Sequence, residues 1–116
     1  MRGLLSAMFL VLALPAAAED GWTMLKGDEV KAALAGHTLA YANGATQVFK
    51  PSGDTSYDSG HLQPGSWRIE GDRYCSVWPP SSQWTCYGLE RSADGKGLRF
   101  IADDGSMTEG RYADPG

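Results

Sequence analysis

The chain has 116 residues, with 10 Lys and Arg against 14 Asp and Glu and a formal net charge of −4. Charges of both signs are scattered singly, and no basic cluster could follow a phosphate backbone or an anionic membrane surface. The composition therefore argues against nucleic acid as a partner, and the length fits one domain.

Residues 1–18 have the pattern of a secretory signal peptide. Arg2 gives a positive start, an apolar run follows from Leu4 to Leu14, and small alanines end the segment at a cleavage site. The run is shorter than the roughly 20 residues that span a bilayer. We therefore predict a periplasmic or secreted protein with no membrane span after cleavage, and a single β domain over residues 19–116.

One short helix is predicted after this segment, between Lys26 and Gly36. Acids occupy its first turn, and Val30, Ala33 and Leu34 recur on one face. Gly36 is placed to end the helix in the left-handed conformation. Because about two turns are marginal alone, the helix must pack on the rest of the fold, and we expect it to close one end.

From His37 onward, strand and turn signals alternate. Asn43-Gly44 is a strong hairpin signal, because both central residues of a two-residue hairpin turn need positive φ. About eight short antiparallel strands hide their edges best by closing, so we predict an all-β up-and-down barrel or strongly curled sheet, with a two-layer sandwich as the alternative. The predicted strands are 38–42, 45–50, 55–58, 60–65 leading into 66–70, 73–78, 84–91, 98–102 and 106–112.

Cys75 and Cys86 are the two cysteines of the chain. We predict that they form a disulfide, because an exported protein folds in an oxidising compartment. The bond would close a loop of twelve residues, which the chain-entropy model values at about 2.8 kcal/mol. A metal site fits less well, since the spacing is not C-x-x-C and no histidine is close in sequence. No metal and no cofactor are predicted.

The strand register decides which face is the core. Pairing Cys75 with Cys86 fixes one hairpin, a two-residue Gly71-Asp72 turn fixes the preceding one, and the two registers agree. The opposite face would carry four charged side chains, so the aromatic face is predicted as core and the disulfide on the outer surface. The predicted core face holds Trp67, Ile69, Tyr74, Trp78, Tyr87 and Leu89. A three-residue loop, 103–105, is likewise predicted to pair Arg99 with Glu109 outside.

Two surfaces are candidate binding sites. Inside the barrel, Trp67, Tyr74 and Tyr87 either fill the core or line a cavity, because eight strands enclose just enough room for side chains or one small ligand. Outside, an exposed tryptophan beside a rigid proline loop is typical of a protein contact. The candidate partner-binding residues are Val77, Trp78, Pro79, Pro80 and Trp84. The alternative is that the N-terminal segment, with Trp22 and Leu25, covers this patch.

Catalytic motifs are not found. The sequence has no nucleophile elbow, zinc-protease motif, phosphate loop or dinucleotide fingerprint, so no catalytic residue is predicted. His37 and His61 are interpreted as isolated surface imidazoles. Asp54, Ser56 and Asp58 alternate like the start of a calcium loop, but Ser59 stands where that loop needs glycine, which favours a polar turn.

Several short motifs resemble those of a known group. Gly36-His37-Thr38, Phe49 before Pro-Ser-Gly-Asp, Gly65-Ser66-Trp67 and the paired cysteines, spread over residues 25–112, look like the small exported single-disulfide β-proteins of alphaproteobacteria that are classed as a domain of unknown function. The resemblance implies a fold and a compartment but no activity. A second similarity is to periplasmic protease inhibitors built on one-disulfide barrels, whose inhibitory N-terminal segment cannot be aligned with this chain.

The sequence thus predicts a non-enzymatic periplasmic β-barrel that binds an envelope protein or a small apolar ligand. The alternatives are an enzyme that acts through carboxylates at the barrel mouth, and a structural envelope protein. Cavity volume separates ligand binding from the others, because a filled interior cannot hold a ligand.

Overall fold

A computed structural model describes residues 21–114, and the predicted signal peptide lies outside the described residues. Within this range the chain forms nine strands and one helix. In chain order they are β1 Trp22–Met24, α1 Asp28–Leu34, β2 His37–Tyr41, β3 Thr46–Phe49, β4 Asp54–Asp58, β5 Leu62–Glu70, β6 Arg73–Val77, β7 Thr85–Ser92, β8 Gly97–Ile101 and β9 Met107–Tyr112.

Strands β2 to β9 form a closed barrel. Each pairs antiparallel with the next along the chain, and β9 returns to pair with β2. Because the barrel is closed, each of these eight strands has a hydrogen-bonded neighbour on both sides over at least part of its length. The up-and-down barrel predicted from the strand and turn pattern is confirmed, and the two-layer sandwich is wrong.

Strand β1 was not predicted from the sequence. It pairs with β7 at Glu90 to Ser92, beyond the point where β6 pairs with the same strand. Leu25, which follows β1, donates its N–H to the carbonyl oxygen of Leu89 at 2.9 Å and is buried in the core. Three residues with only two alternations give too short a pattern to identify a strand.

The registers of the central hairpins are confirmed. Ile69 lies opposite Tyr74, and Cys75 lies opposite Cys86. The 103–105 loop also pairs Arg99 with Glu109 across β8 and β9, as predicted. Because residues directly opposite share a face, these pairings direct Tyr74, Tyr87 and their alternate neighbours into the barrel.

The Asn43-Gly44 hairpin forms with a three-residue loop rather than the two-residue turn predicted. Tyr41 N–H donates to the Ala45 carbonyl oxygen at 2.8 Å, and Gly44 N–H donates to the Tyr41 carbonyl oxygen at 3.0 Å. Gly44 takes the positive φ, 90°, that the last position of such a loop requires. Strand β2 therefore ends at Tyr41 rather than Ala42, and the ring of Tyr41 points into the barrel.

Helix α1 closes the end of the barrel where β2 begins. Val30, Ala33 and Leu34 are buried, as their shared face predicted, and Gly36 follows the helix with φ of 82°. The Tyr112 hydroxyl donates to the Ala33 carbonyl oxygen at 2.6 Å and ties the helix to β9. This helix has seven residues, and none of residues 21–114 form a helix that is long and apolar enough to cross a membrane.

Phe49 stands at the centre of the core. Its ring centroid lies 5.9 Å from that of Trp67 and 5.7 Å from that of Tyr74, both in edge-to-face arrangements. The ring of Phe100 stacks at 6.4 Å, and none of the Phe49 surface is exposed. Edge-to-face pairs of this kind add to the free energy gained from burial.

The predicted disulfide forms on the outward face, as predicted, but it is less exposed than that position suggests, since Cys86 is half-buried. Cys75 faces outward by register and yet is completely buried. Arg68 lies opposite Cys75 on β5, and its guanidinium stacks over the Trp84 ring at 3.9 Å and binds Glu70 at 2.7 Å. Arg68, Trp84 and Glu70 thus form a cluster on the outer face beside the disulfide, where a carboxylate oxygen of Glu70 lies within 4.8 Å of both sulfur atoms.

A second cation–π pair lies at the far end of β7. Arg99 binds Glu90 at 2.7 Å, and its guanidinium lies over the Trp22 ring at 4.3 Å. The N-terminal segment therefore covers this end of the sheet, and not the Trp84 patch that the sequence alternative proposed. Arg99 pairs with Glu109 through the backbone register, but its side chain binds Glu90 instead.

His37 is not the isolated imidazole that the sequence predicted. Its Nδ1 lies 2.5 Å from Oδ2 of Asp114, and Oδ1 of Asp114 accepts the Thr38 N–H at 2.6 Å. The His37 ring also packs on Tyr112 at 4.8 Å. Partial burial raises the pKa of Asp114, but the hydrogen bonds from His37 and Thr38 outweigh this and hold the pKa below its ordinary value.

Acid is expected to weaken the fold through this carboxylate and two others. Hydrogen bonds from Ser92, Lys96 and Arg111 lower the pKa of Asp94, and those from Ser106 lower the pKa of Asp104. A carboxyl whose folded pKa is depressed stabilises the fold above its unfolded value of about 3.9, and this stabilisation is lost as the pH falls through the folded value.

Urea unfolding measured from pH 7 to pH 2 tests this prediction. Wild type should lose stability below about pH 4. A variant with all three aspartates changed to asparagine should be less stable at pH 7 and should change less over the same range. Equal pH dependence of the two proteins would show that other groups control acid unfolding.

Candidate functional site: an aromatic cavity at the open end of the barrel

A cavity of about 800 Å³ occupies the end of the barrel opposite α1. Its rim includes exposed residues of the β2–β3 loop and the start of β9, so it opens to solvent. The lining residues are Tyr41, Ala42, Asn43, Gln47, Tyr57, Gln63, Tyr74, Ser76, Trp78, Tyr87, Phe100, Met107, Thr108 and Glu109. The barrel is therefore filled at the helix end and hollow at the other.

Aromatic rings form a continuous wall around this cavity. The ring of Tyr57 lies 6.3 Å from Trp78 and 6.0 Å from Tyr41, measured between centroids. Tyr41 in turn lies 6.4 Å from Phe100, whose ring is also 6.4 Å from Tyr87. Rigid rings in mutual contact lose little entropy when a ligand packs on them.

Two glycines make room for rings of this wall. A Cβ on Gly65 would lie 2.6 Å from Cε3 of Trp78, and a Cβ on Gly110 would lie 3.0 Å from Cε1 of Tyr41. Both distances are shorter than ordinary van der Waals contact. Gly65 and Gly110 therefore let these two rings lie directly on the backbone of the neighbouring strand.

Gln47 connects the polar groups at the base of the cavity. Its Oε1 accepts the Tyr41 hydroxyl at 2.7 Å, and its Nε2 donates to Thr55 at 3.0 Å and to Tyr74 at 3.2 Å. The Thr55 hydroxyl in turn donates a hydrogen bond to the Val48 carbonyl oxygen at 2.7 Å. Gln47 is buried, so these bonds are what satisfies its amide.

Burial raises the pKa of both tyrosines at this base above the ordinary value of a phenol. Desolvation by burial raises the pKa of Tyr41, with smaller contributions from Tyr74 and Tyr57. Desolvation likewise raises the pKa of Tyr74, and hydrogen bonds with Ser76 and Gln47 oppose it only in part. Buried phenols of this kind offer neutral hydroxyls and aromatic faces rather than an ionised base.

Charged side chains are nearly excluded from the lining. Across residues 21–114, no Lys, Arg or His lines the cavity, and its single carboxylate belongs to Glu109 at the exposed rim. Glu109 lies opposite Arg99, on the outward alternation of β9. The described interior is therefore formally uncharged.

Replacing Gln47 with leucine is expected to cost about 1–3 kcal/mol of stability, because the hydroxyls of Tyr41 and Tyr74 each lose the bond to Gln47, and Thr55 keeps only its bond to Val48. Gln63→Leu is the matched control, since Gln63 also lines the cavity but is exposed at the rim. Chemical unfolding should place the control within about 0.5 kcal/mol of wild type. Equal losses in the two variants would argue that the Gln47 bonds do not stabilise the fold.

The predicted cavity residues separate into two environments. Tyr74 and Tyr87 line the cavity, whereas Trp67 lies in the filled core, where its Nε1 donates to the Lys50 carbonyl oxygen at 2.9 Å. Trp78 was predicted both on the core face and in the outer patch. It faces inward, in agreement with the first prediction, and donates its indole N–H to Ser76 at 3.2 Å.

The outer patch itself is only partly open. Val77 and Trp84 are half-buried, while Pro79 and Pro80 are exposed. The stacking of Arg68 on Trp84 leaves a mixed rather than purely apolar surface. Binding of an envelope protein by Val77, Pro79, Pro80 and Trp84 stays a prediction.

Sequence reasoning missed Tyr41, Gln47, Tyr57 and Phe100 as members of this wall. Their inward alternation was available in the sequence, but Tyr41 required the three-residue loop, and a buried glutamine gives no pattern of its own. The signal that could have found Gln47 and Tyr57 is the register of two consecutive hairpins, in which β3 pairs with both β2 and β4.

Glu70, Cys75 and Cys86 bring a carboxylate oxygen and two sulfur atoms within 4.8 Å of one another. The sulfur atoms are bonded to each other, so neither is a thiolate that could bind a metal. The cluster belongs to the disulfide described above.

Comparisons of the chain with protein-family models, curated proteins and solved structures found no match.

Proposed function

We propose that the protein is an exported, non-enzymatic binding protein that holds one small, largely apolar ligand in the open end of its barrel. The observation that carries the proposal is the cavity of about 800 Å³ walled by aromatic rings. Its volume falls within the roughly 300–1,000 Å³ of ligand sites, and its composition, mostly apolar with a few placed polar groups, matches theirs.

The placement of the cavity supports binding over simple loose packing. The helix end of the same barrel is filled by buried side chains, including Phe49, Leu89 and Leu98. Because protein interiors are normally packed densely and large apolar surface is usually kept from water, an open hollow walled by rings at one end is typical of a site that a ligand covers. The disulfide is compatible with the oxidising compartment that export would provide.

A neutral apolar fluorophore, N-phenyl-1-naphthylamine, tests the proposal. Its emission should rise saturably on titration with the protein, with one site per chain. Trp78→Leu should weaken binding by about tenfold, since it removes one aromatic wall. Trp84→Leu is the matched control, because it removes the same side chain from the outer face, and it should bind like wild type.

Two results would overturn the proposal. One is emission that never saturates at one probe per chain. The other is equal weakening by Trp78→Leu and Trp84→Leu, which would place the probe outside the cavity.

A further inference from the structure

The wall of the cavity is electron-rich as well as apolar. The π-electrons of an aromatic ring make its faces partly negative. Six aromatic side chains line the cavity, those of Tyr41, Tyr57, Tyr74, Trp78, Tyr87 and Phe100. A cation over such a face is attracted by the ring quadrupole, most strongly where water is excluded. A neutral ligand gains only the burial and stacking terms.

Several hydrogen-bond donors of the wall already have partners within the protein. Tyr41 donates its hydroxyl hydrogen to Gln47, Gln47 donates both amide hydrogens to neighbouring hydroxyls, and Trp78 donates its N–H to Ser76. These donors are therefore already occupied and do not serve an anion. An anion would also meet the π faces of the wall, which carry charge of the same sign as itself.

Charge distribution points in the same direction. No basic side chain of the described residues lines the cavity, its rim carries the carboxylate of Glu109, and the whole chain has a formal charge of −4. A carrier of carboxylate or phosphate ligands needs a cation in its site. A net negative protein instead attracts cations toward its surface.

We infer that the cavity takes an organic cation that carries a methylated ammonium group, which the aromatic wall surrounds. The inference rests on the proposed function, since it names the chemical class of the ligand for that same site. A methylated ammonium group suits this aromatic wall, because its charge is spread over methyl groups that pack on rings and need no hydrogen-bond acceptor.

Two probes of nearly equal shape test the role of charge. They are 4-(trimethylammonio)phenol, a cation, and 4-tert-butylphenol, its neutral counterpart, each measured by calorimetric titration of the wild-type protein. The cation should bind about tenfold more tightly. Tyr57→Leu should weaken the cation about tenfold and the neutral probe less than about threefold, because a ring face is lost.

Tyr57→Phe is the control, since it keeps the ring and removes only a hydroxyl that accepts one 3.3 Å bond from Asn43. It should leave the affinity for the cation unchanged. Stronger or equal binding of the neutral probe, or equal weakening of both probes by Tyr57→Leu, would overturn the inference and leave the proposed function standing.

Failure of both probes would also overturn the inference if N-phenyl-1-naphthylamine still binds in a Trp78-dependent manner. If none of the three compounds binds, the inference and the proposed function fall together.

Discussion

Phe49→Ala is expected to lower the free energy of unfolding by about 3–5 kcal/mol. Phe49 is fully buried and its ring meets those of Trp67, Tyr74 and Phe100, so truncation removes apolar burial and leaves a void that closed strands cannot collapse around. Urea or guanidinium unfolding at neutral pH measures the loss. Phe49→Leu, which keeps more of the buried volume, should lose clearly less.

Leu62→Ala is the control for this prediction. Leu62 is 65% exposed at the start of β5, so its truncation should change stability by less than about 0.5 kcal/mol. If Phe49→Ala cost less than about 1 kcal/mol, the ring cluster could not be the centre of the core.

Removal of the disulfide is expected to cost about 2–4 kcal/mol. Cys75 and Cys86 are 11 residues apart in sequence, and linking them restricts the unfolded chain. The double variant Cys75→Ala/Cys86→Ala removes this restriction without placing a hydroxyl in the buried position of Cys75. Thermal and denaturant unfolding of the oxidised wild type and the variant give the difference.

A reductant provides the matched control for the disulfide. Dithiothreitol present during denaturant unfolding should destabilise the wild type by a similar amount and should not affect the alanine variant. A double variant that melts within a degree of the oxidised wild type would contradict the prediction.

Much of the fold could be predicted from the sequence because strong local signals agreed. The twelve-residue cysteine loop and the Gly71-Asp72 turn each fixed a register, and a slip of one residue would have buried charges. The helix was equally well marked, with Val30, Ala33 and Leu34 on one face and Gly36 after its end. These features depend on neighbours in sequence, which a pattern records.

The parts that could not be predicted depend on contacts between residues distant in sequence. Cys75 faces outward by register as predicted and is nevertheless completely buried, and Arg68, its partner across β5 and β6, stacks on Trp84 rather than extending into solvent. The pairing of His37 with Asp114 joins the start of β2 to the segment that follows β9, and the two residues are 77 positions apart in sequence. Whether the interior is filled or hollow depends on where each ring settles, and alternation alone does not determine that.

The candidate site shows the same division. Tyr74 and Tyr87 were placed in the inward set by register, and both line the cavity. Trp67 belongs to the same face but lies further toward the helix end, within the packed core. The two-residue alternation of a strand predicts which side chains point into the barrel. Their position along the barrel axis is fixed only once the barrel is closed.

Blocking the mouth of the cavity tests most directly whether a ligand binds inside it. Thr108 lies opposite Phe100 at the exposed start of β9 and lines the cavity, so Thr108→Trp would fill the entrance without burying a new group in the core. Thr23→Trp adds the same ring at an exposed position of β1, away from the cavity. In titrations with N-phenyl-1-naphthylamine, Thr108→Trp should abolish saturable binding while its free energy of unfolding stays that of wild type. Thr23→Trp should bind the probe like wild type. Binding of the probe by Thr108→Trp at wild-type affinity would contradict ligand binding in the cavity.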